Sequence, residues 1–112
     1  MTDKFSNNET TALILRDFEL VEPDREISEQ ELLDYLSDAI GYMIEHKLDF
    51  LLSLLYRLDV SEQKINTALL PGNSEDAPVA LAKLVIERHK QRVATKQAYR
   101  EKNPSNWDWD LD

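Results

Sequence analysis

The stretch SEQELLDYLSDAIGYMI, from Ser28 to Ile44, indicates most clearly how this chain folds. Ser28 and Glu31 have the spacing of a capping box, in which each side chain accepts a hydrogen bond from the other residue's backbone N–H at a helix start. Apolar residues then recur at steps of three and four, at Leu33, Leu36, Ile40 and Met43. Since that period places them on one face of a helix, the stretch predicts an amphipathic α-helix that begins after Ser28.

The next segment is rich in leucine and raises a question of connectivity. FLLSLLYRL, residues 50–58, is apolar around most of its circumference. Such a helix is typical of the middle of a structure or of a subunit interface. The chain either turns or continues around residues 46–49, so residues 29–59 form one helix or two.

Two further helices have clear start and stop signals. Ser61 is a suitable N-cap for a short helix, which the Pro71-Gly72 pair ends. The last helix begins at Asp76 or Ala77, has a proline in its first turn, where the missing N–H does no harm, and runs to about residue 102. Its first half carries apolar residues and its second half is dominated by lysine and arginine, so we expect the first half to be buried and the second to be solvated.

These segments predict an all-α fold, a bundle of three to four helices over residues 28–102. Residues 1–27 are predicted to form an extended or short-helical arm that packs its apolar residues on the bundle, because residues 12–21 fit neither a strand period nor a helix period cleanly. Residues 103–112 are predicted to form an extended, acidic tail that contains both tryptophans of the chain.

Composition limits the possible functions. The 112 residues are enough for one domain, and a chain that is 42% hydrophobic is too apolar for intrinsic disorder. The absence of cysteine excludes disulfides and thiolate chemistry. The only histidines, His46 and His89, stand in no metal-binding motif, and no nucleophile motif is present. We therefore expect no enzyme activity, no cofactor and no metal.

The N-terminal residues and the longest apolar stretch both favour a cytoplasmic protein. Residues 1–11 lack the basic and apolar regions of a secretory signal. The longest apolar stretch, residues 48–60, is short and contains three charged residues, so no membrane insertion is expected.

Positive charge is concentrated in one segment. The net charge is −9, yet residues 83–102 hold seven basic and two acidic side chains, a net charge of +5. Four cations share the predicted binding face of the last helix: Arg88, Arg92, Lys96 and Arg100. This basic face either binds phosphate groups or an acidic partner, or is a solvated helix end whose cations complement the helix dipole and the acidic helices of the same chain.

The tail carries a second predicted binding site. Trp107 and Trp109 alternate with aspartates, so an extended chain presents both indoles on one side. In one interpretation they enter pockets of a partner while the acids steer towards a basic groove. In the other the tail folds back, in cis or onto a sister subunit, and the aspartates pair with cations of the last helix.

The segments LLSLLYRLDVSEQKINTAL (residues 51–69) and LAKLVIERHKQRVATKQAY (residues 81–99) resemble a set of small, uncharacterised helical bacterial proteins. In these a leucine-rich helix ends in Tyr-Arg-(Leu/Ile)-Asp-Val and is followed by a capped helix and a basic helix. The resemblance implies a bacterial origin and an all-α fold, and it transfers no site residues. Within this motif, Arg57 is predicted to stabilise the turn through Asp59 or through a helix C-terminal carbonyl.

The predicted function is a noncatalytic protein–protein interaction, as an adaptor or regulatory subunit. The leucine excess between residues 50 and 58 predicts self-association, most simply a homodimer. The alternative is binding of nucleic acid or of an anionic surface through the basic last helix.

Overall fold

Five α-helices make up the fold of the computed structural model, which describes residues 8–21, 23 and 25–102. They are α1 (Asn8–Asp17), α2 (Glu29–His46), α3 (Leu48–Arg57), α4 (Glu62–Leu69) and α5 (Ala77–Lys102). No strand occurs in these residues, which confirms the all-α class. Four of these helices lie within residues 28–102, and α1 lies in the predicted N-terminal arm. None of the described helices is both long and apolar enough to cross a bilayer.

The predicted helix starts are confirmed at α2 and α4. The Ser28 hydroxyl accepts a hydrogen bond from the Glu31 N–H at 3.1 Å, and a Glu31 carboxylate oxygen accepts one from the Ser28 N–H at 2.9 Å. Ser61 caps α4 by accepting from the Lys64 N–H at 3.4 Å. Because each cap needs only residues three positions apart, the local sequence was sufficient to predict it.

Lys47 separates α2 from α3, so residues 29–59 form two helices. Its backbone leaves the helical region, with φ −145° and ψ 48°, while its N–H still donates to the Met43 carbonyl at 2.7 Å. The break lets α3 pack back against α2. A single long rod is therefore not formed.

One core joins all five helices, and its largest contact lies between α2 and α5. The buried residues of α2 are Leu32, Leu36, Ile40 and Met43, and Leu33 at the edge of this stripe is half-buried. Opposite it lie the first three turns of α5. Gly41 of α2 faces Pro78 at the start of α5, where an added Cβ would lie 3.6 Å from the proline Cγ. Gly41 therefore lies where α2 packs against the start of α5, and a Cβ there would be in ordinary van der Waals contact.

The arm is the short helix α1, and it belongs to this core. Its buried apolar residues are Ile14, Leu15 and Phe18. They cover α5, which confirms that the arm packs its apolar residues on the bundle. Residues 1–7, 22 and 24 of the predicted arm lie outside the described residues.

The leucines that predicted self-association are buried in the core of a single chain. Leu51, Leu54 and Leu55 are buried on the inner side of α3, while Phe50 and Tyr56 are about half exposed. The buried leucines therefore give no separate argument for an interface. Self-association stays a prediction.

α1 and α3 end in the same hydrogen-bonded turn, without a glycine in either. After α1, the Glu19 N–H donates to the Arg16 carbonyl and the Leu20 N–H to the Leu15 carbonyl. Asp59 and Val60 repeat this pattern after α3. Both patterns are those of a Schellman motif, whose C′ residue takes a left-handed conformation. Glu19 and Asp59 do so with φ of 56° and 66°.

Replacing Glu19 with glycine is expected to stabilise the protein. A left-handed residue with a Cβ costs about 1 kcal/mol relative to glycine, so Glu19→Gly should raise the free energy of unfolding by about 0.5–1 kcal/mol. Urea denaturation measures this change. The matched control is Glu87→Gly in the interior of α5, where glycine should instead lower the stability by about 1 kcal/mol. Equal losses for both variants would contradict the left-handed turn.

The capping box predicts a pH dependence of stability. The hydrogen bond from Arg25 and the backbone N–H of Ser28 lower the pKa of Glu31 from 4.5 to about 2. A carboxyl with a lowered folded-state pKa adds stability that is fully present above its unfolded value and is lost as pH falls towards its folded value. Wild type should therefore lose stability relative to Glu31→Gln as pH falls from about 4.5 to about 2.

The difference in unfolding free energy between these two proteins, measured across that pH range, checks this expectation. A carboxyl NMR titration of Glu31 provides an independent readout. Titration of the folded protein at the ordinary glutamate value would contradict the capping geometry.

Candidate functional site

Acidic groups of other elements already pair with the cations in the first half of α5. Lys83 pairs with Glu75 of the loop before α5, and the Lys90 ammonium lies 2.7 Å from a carboxylate oxygen of Glu29 in α2. Such contacts match the alternative in which the cations of this helix complement the acids of the same chain. Lys83 and Lys90 are therefore not part of the candidate binding surface.

Arg88, the first residue of the predicted binding face, joins α5 to the end of α3. Its Nε donates to the Leu58 carbonyl at 3.2 Å, and a terminal nitrogen donates to the Asp59 carboxylate at 3.3 Å. The prediction that Arg57 stabilises this turn is wrong. Arg57 is exposed and forms no hydrogen bond or ion pair with the described residues, and the Asp59 carboxylate accepts a hydrogen bond from Arg88 instead.

His89 is the last buried residue among residues 77–100 of α5, and it links this helix to α1. Its Nδ1 lies 3.0 Å from the Val85 carbonyl and its Nε2 lies 3.2 Å from a carboxylate oxygen of Asp17. Both neighbouring oxygens are acceptors, so each ring nitrogen forms its hydrogen bond only when it carries a proton. The predicted position of His89 at the core edge is confirmed, with 2% of the residue exposed. Sequence reasoning did not find Asp17, since 72 positions separate the pair and no local pattern connects them.

Beyond His89, the line of α5 that faces the core becomes cationic. Arg92 and Lys96 follow Val85 by seven and eleven residues, close to two and three whole helical turns. They therefore continue the side of the helix that Val85 buries, but they are exposed. Neither forms an ion pair or hydrogen bond with any residue that the structure describes.

Apolar side chains flank these cations. Val93 is half-buried and Tyr99 is 41% exposed. Arg100 lies about one turn after Lys96 on the same side of the helix. We call the surface formed by Arg92, Val93, Lys96, Tyr99 and Arg100 the α5 basic face. Of the four predicted cations, Arg92, Lys96 and Arg100 lie on it, and the guanidinium of Arg88 is engaged by α3.

A groove of about 230 Å³ lies between the start of α2 and the first half of α5. It is lined by Glu29, Leu33, Lys83, Ile86, Glu87 and Lys90. Because both lysines are paired with carboxylates, the groove offers no strong net charge to a ligand. Among the described residues, no group of three or more histidine, aspartate or glutamate side chains is placed to hold a metal ion.

The second predicted site, Trp107 and Trp109 in the tail, lies outside the described residues. Comparison of the chain with protein-family models, with curated proteins and with solved structures finds no match. The resemblance to small helical bacterial proteins therefore stays a prediction. The candidate site rests on the geometry of α5 alone.

Replacing Arg88 should destabilise the fold, whereas replacing Arg57 should not. Arg88→Ala removes two charge-assisted hydrogen bonds to the end of α3, and we expect a loss of about 1–2 kcal/mol in the free energy of unfolding. Arg57→Ala, two residues from the same turn, should change it by less than about 0.5 kcal/mol. Chemical denaturation of both variants measures the difference. Similar losses would show that Arg88 does not stabilise the turn.

Proposed function

We propose that this protein is a noncatalytic interaction module that binds an acidic segment of a partner protein on the α5 basic face. One observation carries the proposal. The side of α5 that packs on the core continues past His89 as Arg92 and Lys96, which pair with none of the described residues, although cations earlier in the helix pair with acids. This part of α5 continues its core-facing side and is positively charged, so it attracts a negatively charged segment of a partner.

Apolar neighbours favour a protein segment over a simple polyanion. Exposed ion pairs contribute only about 0–1 kcal/mol each, so two or three cations alone give weak binding. Val93 and Tyr99 add apolar and aromatic surface beside them. A partner segment that combines acids with aromatic or aliphatic side chains would use both kinds of contact.

Nucleic acid or an anionic surface is the second candidate. The clustered cations favour it, since phosphate contacts release counterions and strengthen binding at low salt. The net charge of −9 opposes it, because the rest of the molecule repels a long polyanion. We therefore favour the protein segment and use nucleic acid as a separate arm of the test.

The test measures fluorescence anisotropy of two labelled probes: a peptide of alternating glutamate and phenylalanine, and a single-stranded RNA. Each probe is titrated with wild type and with Arg92→Glu/Lys96→Glu. The matched control is Arg57→Glu/Lys64→Glu, which changes the charge equally at exposed cations away from the basic face. We expect the peptide to bind wild type, the basic-face variant to lose at least about tenfold in affinity, and the control to bind like wild type.

A further variant, Asp108→Asn/Asp110→Asn/Asp112→Asn, removes the acidic side chains that follow α5 as competitors for the peptide. If the peptide binds neither this variant nor wild type at low salt, the proposed function is wrong. Stronger binding of RNA, with an affinity that falls steeply with salt and is lost in the basic-face variant, would replace it with the nucleic-acid alternative.

A further inference from the structure

We propose that the α5 basic face binds the outer side of α2 in a second copy of this chain. We call that side the α2 acidic stripe and define it by Asp34, Asp38 and Tyr42. This inference rests on the proposed function, because it names a partner for the same surface. Three properties carry it: the exposure of the stripe, its charge and the spacing of its residues.

The α2 acidic stripe faces away from the core. Asp34 follows the buried Leu32 by two residues, which places it about 200° further around the helix. Asp38 and Tyr42 follow at steps of four residues and are exposed as well. Neither aspartate forms an ion pair with the described residues, and Asp34 accepts a hydrogen bond from the Gln30 amide at 3.0 Å. The stripe is therefore negatively charged and accessible to another molecule.

The stripe combines the two kinds of surface that complement the basic face. Its carboxylates are opposite in charge to Arg92 and Lys96, which pair with none of the described residues. Tyr42 is 57% exposed and provides a ring for contact with Tyr99 of α5, which is 41% exposed. Two aromatic rings in an offset or edge-to-face arrangement attract each other beyond the effect of the area they bury. A second copy thus supplies acids and an aromatic side chain on one face of a helix.

The spacing of the charges is the same on both helices. Four residues, or about 6 Å of helix, separate Arg92 from Lys96. The same distance separates Asp34 from Asp38. Side chains four residues apart form the ridges that interlock in the commonest packing of two α-helices, at a crossing angle of about −50°. The two charged rows lie side by side in this packing, so each carboxylate lies beside one cation.

The stripe of the same chain cannot make this contact. α2 and α5 run antiparallel, because Glu29 lies beside Lys90 and Gly41 lies beside Pro78. The stripe is therefore level with about residues 77–85 of α5, on the side of α2 that faces away from the core. The basic face begins about seven residues, or about 10 Å, further along α5. Only a second copy can place its stripe there.

The charge of the whole molecule sets the strength of the association. Each copy has a net charge of −9, so two copies repel each other at long range. At about 0.1–0.15 M salt the Debye length is about 8–10 Å, which screens this repulsion, whereas charges in direct contact are closer than that length. A contact between a few turns of two helices is also smaller than the about 1,200 Å² at which stable interfaces begin. We therefore expect weak, reversible association.

Sedimentation equilibrium of the full-length protein at about 0.15 M salt tests the inference. Between about 10 and about 1,000 µM, the apparent mass of wild type should rise above that of one chain. The basic-face variant should keep the mass of one chain. The stripe variant, Asp34→Lys/Asp38→Lys, should do so too, although it changes the net charge from −9 to −5 and so weakens the general repulsion.

An equimolar mixture of these two variants tests the pairing of the two surfaces directly. The intact stripe of the basic-face variant meets the intact basic face of the stripe variant. The two reversed surfaces are also opposite in charge. The mixture should therefore regain the rise in mass that wild type shows, and far-UV circular dichroism should show that both variants are folded.

Two matched controls carry the same charge changes at other exposed residues. Arg57→Glu/Lys64→Glu has the net charge of the basic-face variant, and Asp49→Lys/Glu87→Lys has that of the stripe variant. Both controls should associate like wild type. If each control loses association as fully as its matched variant, net charge is the cause and the inference is wrong.

Three further outcomes would contradict the pairing of α5 with α2. In the first, wild type keeps the mass of one chain up to about 1,000 µM, a result that needs no variant. In the second, wild type associates and either test variant associates equally, so another surface is responsible. In the third, both variants are folded and keep the mass of one chain, but their mixture does too.

The two proposals fail separately. The stripe variant keeps the basic face and should bind the glutamate–phenylalanine peptide at least as tightly as wild type. If the peptide binds the basic face but wild type keeps the mass of one chain, the proposed function stands and this inference is wrong. If wild type associates and the mixture regains association, but the peptide binds neither wild type nor the stripe variant, this inference stands and a separate partner protein is excluded.

Discussion

α5 packs against α1, α2 and α4, but its buried side ends at His89, while the helix continues for thirteen residues to Lys102. The helix is therefore longer than its buried part, and this excess length constrains the rest of the molecule. Up to His89 the inward line of α5 must be apolar or neutralised, because a charge removed from water without a partner costs several kcal/mol. Past His89 no described helix covers that line. The same side of one helix therefore passes from core to candidate binding surface within about one turn.

Polar contacts mark the boundary between these two parts. Arg88 reaches the turn after α3, and His89 reaches Asp17 at the end of α1, so adjacent residues of α5 tie it to two helices. Their partners are partly or largely exposed, which keeps the cost of burying charge low. These contacts hold α5 against the ends of α3 and α1 where the core ends. They also explain why the predicted four-residue basic face contains one cation with a structural role.

Local signals in the sequence predicted the helices well, and distant contacts were not predictable in the same way. The Ser28 and Ser61 caps and the loop before α5 each need only a few neighbouring residues, and all three predictions were right. The sequence favours neither an extended nor a helical arm, because residues 12–21 follow neither period cleanly, and the contact with α5 selects which apolar residues are buried. The turn after α3 was assigned to Arg57, the arginine nearest in sequence, whereas Arg88 makes the contact from 29 positions away. At the candidate site, the sequence located the cations but could not separate paired ones from unpaired ones.

The second half of α5 is helical without a core, and the reason affects where an anion binds. Alanine, glutamine, lysine and arginine have high helix propensity, so the buried half of α5 provides a nucleus from which such residues continue the helix. Cations in the last turn also stabilise the negative end of the helix dipole. That same dipole repels an acidic ligand near Lys102, and the repulsion fades within about one turn. An acidic occupant of α5 is therefore favoured at Arg92 and Lys96, away from the helix end. Since the helix is already formed there, binding does not require the ordering of this surface, and the affinity depends mainly on the occupant.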